Sequence, residues 1–132
     1  LGFQFICSKS FEDENAECLN LFNCDVVPIF DPVRPFVGWC KLNTFLSDTF
    51  KSSLAELFEE KDFYFTHSYA VKAVEINLGK YEIYSYSLDG SEDNVAAIVS
   101  KNYIGYQFHP EKSGQHGIKL LSKSINLLKS NL

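Results

Sequence analysis

A histidine and a glutamate two positions apart are the residues of this chain best placed to do chemistry together. His109 and Glu111 follow an apolar run at 103–108 and are separated by Pro110. Side chains alternate along an extended strand, so residues two apart point to the same side. A carboxylate on that side can hold one imidazole nitrogen and leave the other free to act as a base. The spacing therefore predicts a general base with an orienting carboxylate, a pair that needs a nucleophile from elsewhere.

The composition indicates one folded domain or part of one. The 132 residues are 45% apolar, include 12 Phe and 7 Tyr, and have a formal net charge of −5. Apolar residues in this proportion are enough for a packed core. The chain has no basic patch that favours nucleic acid, and no apolar run near the roughly 18 residues of a membrane span. We therefore expect neither nucleic acid nor membrane as a partner.

The spacing of the four cysteines does not indicate a metal site. Cys7, Cys18, Cys24 and Cys40 form no C-x-x-C pair and have no histidine at zinc-binding spacing. We interpret them as reduced thiols of a cytoplasmic protein that holds no metal and no cofactor. Cys7 is not expected to be the missing nucleophile. On a helix running on from Leu1 it lies about two turns in, away from the N-terminal end where a thiolate is favoured.

A mixed pattern of helices and strands must position these residues. We predict helices at 3–10, 47–59 and 113–128, the last with Ser113 as its N-cap. We predict strands at 25–30, 36–42, 63–69, 71–76, 81–87, 96–100 and 103–108, with Pro28 favouring a sheet edge, and a loop at 12–17. The strands are too closely spaced for every connection to contain a helix. An α/β fold with an antiparallel extension on a parallel core fits this pattern best.

Four segments of the chain match one protein family in order. They are Leu1-Gly2-Phe3-Gln4, Gly38-Trp39, Tyr64-Phe65-Thr66-His67-Ser68-Tyr69 and Gln107-Phe108-His109-Pro110-Glu111-Lys112-Ser113. This combination resembles the class I (triad) glutamine amidotransferases, and among them the glutaminase subunits of imidazole glycerol phosphate synthase. The resemblance implies a three-layer α/β/α sheet with an antiparallel extension. It also implies that residues 1–132 are the C-terminal two-thirds of a single domain, whose N-terminal strand–helix units are missing.

The resemblance implies a Cys-His-Glu triad that hydrolyses glutamine to glutamate and ammonia. His109 would be the base, and Glu111 would orient it. The nucleophile would be the cysteine of a G-x-C-x-G turn and would lie just before Leu1. The backbone amide of Leu1 would donate one hydrogen bond to the oxyanion. Without that cysteine, the 132 residues alone are expected to be inactive.

Further residues match the substrate pocket of the family. Gln4 and Glu12 match positions that bind glutamine, and the acid faces the α-ammonium group of the substrate. Ser68 and Tyr69 match a segment that lines the pocket, largely through its backbone.

The two remaining histidines are not expected to take part in catalysis. His67 has no neighbouring carboxylate in the sequence, so we expect a structural role for it. His116 lies in the first turn of the predicted last helix, where we expect it to be solvated.

Trp39 and Lys112 match family positions that face a partner. The resemblance implies that this partner is a (β/α)8-barrel synthase or cyclase subunit that receives the ammonia for histidine biosynthesis. Around Trp39, however, Phe36 and Cys40 stand where the family has His and Asn. The change leaves two alternatives open. The protein could be a paralogue that feeds ammonia to an amidino-sugar pathway, or a non-catalytic interaction module with a glutaminase-like fold.

Overall fold

The computed structural model describes residues 2–12, 16–29, 34–45, 52–73, 81–88 and 92–132. Within these ranges the chain forms two α-helices, α1 (Gly2–Phe5) and α2 (Gly114–Ser130). Its strands are β1 (Lys9–Ser10), β2 (Ala16–Glu17), β3 (Asp25–Pro28), β4 (Phe36–Lys41), β5 (Asn43–Phe45), β6 (Asp62–His67), β7 (Tyr69–Ala70), β8 (Glu82–Tyr86), β9 (Asn94–Val99) and β10 (Ile104–Tyr106). Single 3-10 turns lie at Ala55–Leu57 and Pro110–Lys112. Neither described α-helix has the length and apolar character needed to cross a membrane.

The described strands associate in three groups. One sheet has the order β2-β1-β3-β7, a second has the order β10-β9-β8-β5, and β4 pairs with β6. The β1–β3 pair is parallel, and the other pairs between these strands are antiparallel. The mixed pairing agrees with the predicted α/β class, but within the described residues β1–β3 is the one parallel pair.

The second sheet is a central layer, because it is buried on both faces. Every residue of β8 and β9 is buried. On one face, Tyr84 belongs to a core cluster that includes Leu120 of α2. On the other face, Ile83 belongs to a cluster that includes Phe3 of α1. Helices thus pack on both sides of a sheet, as the α/β prediction requires.

The start of α2 is tied to the neighbouring strand β6. Ser113 occupies the N-cap position, as predicted, but its hydroxyl makes no capping hydrogen bond. Instead, Ser113 Oγ donates to the His109 carbonyl at 2.6 Å and accepts from the Tyr64 amide at 3.0 Å. The His109 amide in turn donates to the Tyr64 carbonyl at 2.9 Å. Ser113 therefore joins β6 and α2 to the segment that contains His109.

Pairing with β3 changes two of the predictions. The helix predicted at 3–10 ends at Phe5, because β1 follows and pairs with β3. The expectation that Pro28 marks a sheet edge is wrong, since β3 lies between β1 and β7. Pro28 is the last residue of the strand and pairs only with Tyr69 of β7. At that position its missing amide leaves no gap in the ladder to β1.

The helix predicted at 47–59 is also different. Its described part contains only the 3-10 turn at Ala55–Leu57, and residues 47–51 lie outside the described residues. The buried carboxylate of Glu82 holds the start of this part, because it accepts hydrogen bonds from the amide and the hydroxyl of Ser52. A fixed tertiary contact thus replaces a regular helix there.

Two further predictions change in the short connections. The loop predicted at 12–17 contains β2, which pairs with β1, while 13–15 lie outside the described residues. In place of a strand at 71–76, Lys72 forms one isolated bridge to Asn94. Residues 74–76 of that prediction lie outside the described residues.

Candidate active site

A cleft of about 450 Å³ is lined by residues from α1, from β6, from β10 and from the turn before α2. Residues of chemical interest in its lining are Gln4, Glu12, His67, Ser68, Gln107, His109 and Glu111. Five of these, all except His67 and Gln107, were predicted site residues. The segments come from distant parts of the sequence, so the fold alone brings them together.

His109 and Glu111 form the pair that the sequence predicts. His109 Nδ1 lies 2.8 Å from Glu111 Oε1, and the side chains are 34% and 53% exposed, so both remain accessible from the cleft. The predicted reason for their proximity is wrong in one respect. Strand β10 ends at Tyr106, and Glu111 lies in the 3-10 turn at Pro110–Lys112. The turn, rather than strand alternation, brings the Glu111 carboxylate into contact with the His109 imidazole.

The electrostatics of Glu111 favour its ionised form. Desolvation raises the pKa of Glu111, but the hydrogen bond from His109, the backbone amide of Glu111 itself and the positive charges of His109 and Lys112 together lower it below its ordinary value. An ionised carboxylate can only accept hydrogen bonds, so the proton of this contact belongs to His109 Nδ1. The other nitrogen, Nε2, is then free to take and return a proton.

Gln4 is held by two acceptors at the side of the cleft. Its Nε2 donates to the Tyr69 carbonyl at 3.0 Å and to Gln107 Oε1 at 3.2 Å. Helix α1 approaches β10 closely here, because a Cβ on Gly105 would lie only 2.6 Å from the ring of Phe3. Gln107 was not among the predicted site residues, although it stands in the same motif as His109.

The other predicted pocket residues take different positions. Ser68 lines the cleft, and its carbonyl accepts from the Ile29 amide at 3.0 Å. Tyr69 is half-buried and contributes through its carbonyl, which holds Gln4. Glu12 is exposed at the cleft, and its amide donates to Ser10 Oγ at 3.2 Å. Leu1, the predicted oxyanion donor, lies outside the described residues.

The contacts of His67 are consistent with the structural role predicted for it. Its Nε2 lies 2.8 Å from the hydroxyl of Tyr86, and burial lowers the pKa of His67 to about 4. The backbone of Tyr69 opposes this shift, although His67 Nδ1 makes no well-aligned hydrogen bond within the described part of the chain. Burial also raises the pKa of Tyr86, so its protonated hydroxyl donates to the neutral imidazole.

His116 is not the solvated residue that the sequence suggested. It is half-buried, and its Nε2 donates to the Asp62 carbonyl at 2.6 Å. Its ring packs edge-on against Phe63, with centroids 5.1 Å apart. The interaction with β6 anchors the first turn of α2.

Cys7 is unsuited to nucleophilic attack, as predicted. It is fully buried. Its hydrogen bond with Cys24, followed by burial, raises the pKa of its thiol, so the thiolate is not available. All four cysteines are free thiols. Among the described residues, no three His, Cys, Asp or Glu side chains converge in a way that could hold a metal ion.

Trp39 and Lys112 are exposed outside the lining of the cleft. The Trp39 side chain on β4 is 54% exposed. Its ring packs against the ring of Tyr64 on β6, with centroids 5.7 Å apart. Val37, two residues earlier on the same strand, is 56% exposed. Lys112 ends the 3-10 turn that follows His109. Because the Tyr64 backbone bonds to both His109 and Ser113, the surface around Trp39 adjoins the segment that contains the His109–Glu111 pair.

Comparisons with known proteins identify the family of the chain. A family model described as glutamine amidotransferase class-I matches residues 40–127. The chain is 36% identical over 123 residues to the imidazole glycerol phosphate synthase subunit HisH of Lactococcus lactis subsp. lactis, with 92% of this chain and 56% of that protein covered.

Two further relatives have the same name. The HisH subunit of Bacteroides fragilis is 33% identical, with 96% of this chain and 61% of that protein covered. The HisH subunit of Dehalococcoides mccartyi is 31% identical, with 91% of this chain and 55% of that protein covered. The chain thus spans little more than half the length of these relatives.

Proposed function

We propose that the complete protein hydrolyses glutamine to glutamate and ammonia. The reason is that this chain belongs to the class-I glutamine amidotransferase family. The observation that carries this proposal is the 2.8 Å contact between His109 Nδ1 and Glu111 Oε1 at the cleft. It leaves His109 Nε2 as a base with a defined orientation, which is what a cysteine nucleophile requires.

We place the nucleophile immediately before Leu1. Gly2 and Phe3 line the cleft, and consecutive Cα atoms are about 3.8 Å apart, so the Cα atom of such a residue lies within about 8 Å of the Gly2 Cα. The resemblance of Leu1-Gly2-Phe3-Gln4 to the end of a nucleophile turn supports the same position. Residues 1–132 then form the C-terminal part of one amidotransferase domain, and the Leu1 amide supplies an oxyanion donor.

The reaction then has four proton-balanced steps. His109 Nε2 takes the thiol proton, and the thiolate attacks the carboxamide carbon of glutamine. As the tetrahedral intermediate collapses, its C–N bond breaks and His109 returns the proton to the leaving nitrogen. Ammonia departs, and a thioester remains. Water, deprotonated by His109, attacks the thioester carbon, and the second collapse returns the proton to the thiolate and releases glutamate. Glu111 stabilises the imidazolium that forms in both halves.

The substrate is bound by the predicted pocket residues. Gln4 and Glu12 bind the glutamine, with the Glu12 carboxylate facing its α-ammonium group, and the backbone at Ser68 and Tyr69 borders the substrate. The carboxamide must lie against His109, since His109 protonates its leaving nitrogen. Glutamine therefore lies across the cleft between His109 and Gln4, both of which line it.

The ammonia passes to a synthase or cyclase partner, which we propose to be a (β/α)8-barrel subunit that binds at Trp39 and Lys112. The relatives named as HisH subunits of imidazole glycerol phosphate synthase support a synthase partner and a role in histidine biosynthesis. The barrel fold of the partner and a cytoplasmic location follow only from the family resemblance and are part of the proposal. Phe36, where the family has His, is half-buried and packs against the core cluster. Its side chain is thus not a group that the partner must meet.

Glutamate release by the complete protein with its partner tests the proposal. We expect hydrolysis of glutamine by the parent, and a loss on the order of a thousandfold or more in His109→Asn. Residues 1–132 alone are expected to release no glutamate, and measurable release by them would contradict the position of the nucleophile. Growth of a histidine auxotroph that lacks its glutaminase subunit tests the acceptor pathway, because an amidino-sugar paralogue would not restore growth.

A further inference from the structure

Gln107 is a buried polar side chain at the cleft to which the proposed reaction assigns no part. It is only 5% exposed, it lines the cleft, and its backbone amide is fixed to the Ala96 carbonyl at 2.8 Å. Its Oε1 atom accepts a hydrogen bond from Gln4 Nε2 at 3.2 Å. Burial of both amides makes this contact costly to lose, because an unpaired N–H would remain away from water.

The hydrogen bonds give the Gln4 amide a direction. A peptide carbonyl can only accept, so the Tyr69 carbonyl must face the nitrogen of Gln4 rather than its oxygen. The amide nitrogen has two hydrogens, and Tyr69 and Gln107 accept one each. Gln4 Oε1 makes no hydrogen bond within the described part of the chain. The pocket therefore presents an acceptor, and not a donor, at Gln4.

We propose that Gln107 is a positioning residue that holds the Gln4 amide with its oxygen toward the α-ammonium group of the bound substrate. The inference rests on the proposed glutaminase function. Glutamine has N–H donors at its carboxamide and at its α-ammonium group, and the carboxamide is committed to His109. The α-ammonium group is therefore the donor that Gln4 Oε1 meets. Without Gln107, one hydrogen of Gln4 loses its acceptor, and the amide is no longer held in this orientation.

The test compares two substrates in the complete protein with its partner. Ammonia release is measured from L-glutamine and from 4-carbamoylbutanoate, which is the same amide without the α-amino group. In Gln107→Met, which is similar in size but has no acceptor, we expect the KM for glutamine to rise about tenfold while kcat changes by less than about twofold. The kcat/KM for 4-carbamoylbutanoate should stay within about twofold of the parent.

Two further variants separate positioning from packing. Gln107→Glu keeps an acceptor for Gln4 and is expected to retain a KM close to that of the parent. The double variant Gln4→Met/Gln107→Met should match Gln4→Met alone, because Gln107 acts through Gln4. If Gln107→Met does not fold, Gln107→Asn, whose acceptor is one methylene further away, is expected to give the same rise in KM.

The outcomes distinguish a failure of the proposed glutaminase function from a failure of the proposed role of Gln107. A parent protein that releases no ammonia from glutamine overturns the proposed function, and this inference with it. An active parent whose Gln107→Met variant loses kcat equally on both substrates overturns the positioning role alone. Additive effects of the Gln4 and Gln107 substitutions, or a Gln107→Glu variant as impaired as Gln107→Met, would also overturn it.

Discussion

At the scale of single residues, one hydrogen bond decides which imidazole nitrogen is available for chemistry. The Glu111 carboxylate accepts from His109 Nδ1, so Nε2 is left to exchange protons. The contact needs an ionised acceptor, and the lowered pKa of Glu111 provides one. A group with a depressed pKa makes its contribution above its ordinary pKa and loses it as the pH falls through the lowered value.

We therefore expect Glu111→Gln to lower kcat by about a hundredfold to ten thousandfold, because the amide can donate to Nδ1 and so favour the wrong tautomer. In the parent, Glu111 should stay ionised from about pH 8 to about pH 5, above the ordinary glutamate pKa near 4.3. Steady-state glutamate release at pH 8 measures the loss of activity, and the carbon-13 NMR shift of the Glu111 carboxyl group measures its ionisation across this range. Glu56→Gln, which removes an exposed carboxylate outside the cleft, is the matched control for activity. A Glu111 carboxyl group that titrates between pH 8 and pH 6 would contradict an ionised Glu111.

At the scale of elements, the junction between the 3-10 turn and α2 positions the proposed catalytic pair, His109 and Glu111. Gly117 of α2 packs against the Pro110 backbone so closely that a Cβ would overlap the Pro110 carbonyl oxygen. Ser113 and His116 add hydrogen bonds from the same end of the helix to the backbone of His109 and of β6. The geometry of the turn therefore depends on how closely α2 approaches it.

Gly117→Ala tests this dependence. Alanine normally stabilises a helix interior by about 0.5–1 kcal/mol relative to glycine. In Gly117→Ala we expect instead that the free energy of unfolding falls by about 1–3 kcal/mol, because the added Cβ overpacks against a backbone atom. Thermal unfolding measures the stability, and kcat for glutamine should fall as the turn shifts. Ser122→Ala, at an exposed position of the same helix, should not destabilise the protein. A Gly117→Ala variant as stable and active as Ser122→Ala would refute the role of this packing.

At the scale of the whole molecule, exposed apolar side chains on β4 adjoin the segment that contains His109. Val37 and Trp39 are both more than half exposed, and Trp39 contacts Tyr64, whose backbone bonds to His109. An exposed tryptophan beside a site is the kind of side chain that contributes most to protein–protein binding. A partner bound there would lie close to the site at which the proposed reaction releases ammonia.

We expect Trp39→Ala to weaken binding of the synthase partner by about tenfold to a hundredfold, with thermal stability changed little because the side chain is half exposed. Titration calorimetry with the complete protein measures the affinity. Ile118→Ala removes a side chain of similar exposure, 53%, from α2 and should leave the affinity unchanged. Equal losses in the two variants would place the partner elsewhere.

The sequence alone determined the parts of this protein that depend on short separations along the chain. His109, Glu111 and Ser113 lie within four positions of one another, so local backbone geometry limits their distances, and the motif indicated the family before any fold was known. The predicted α/β class also followed from periodicity, whereas the extents of the first two helices did not, because pairing with β3 and the contact with Glu82 override local preference.

Only the tertiary structure decided how the side chain of Gln4 is held at the cleft. Gln4 lies 65 positions from Tyr69 and 103 positions from Gln107 in the sequence, so no local interaction brings it to either of them. They meet because α1 packs against β10 at Gly105 and because β7 follows the end of β6 at the same edge of the cleft. Long-range packing of this kind reflects the whole core, so the direction of the Gln4 amide cannot be predicted from the residues next to Gln4 in the sequence.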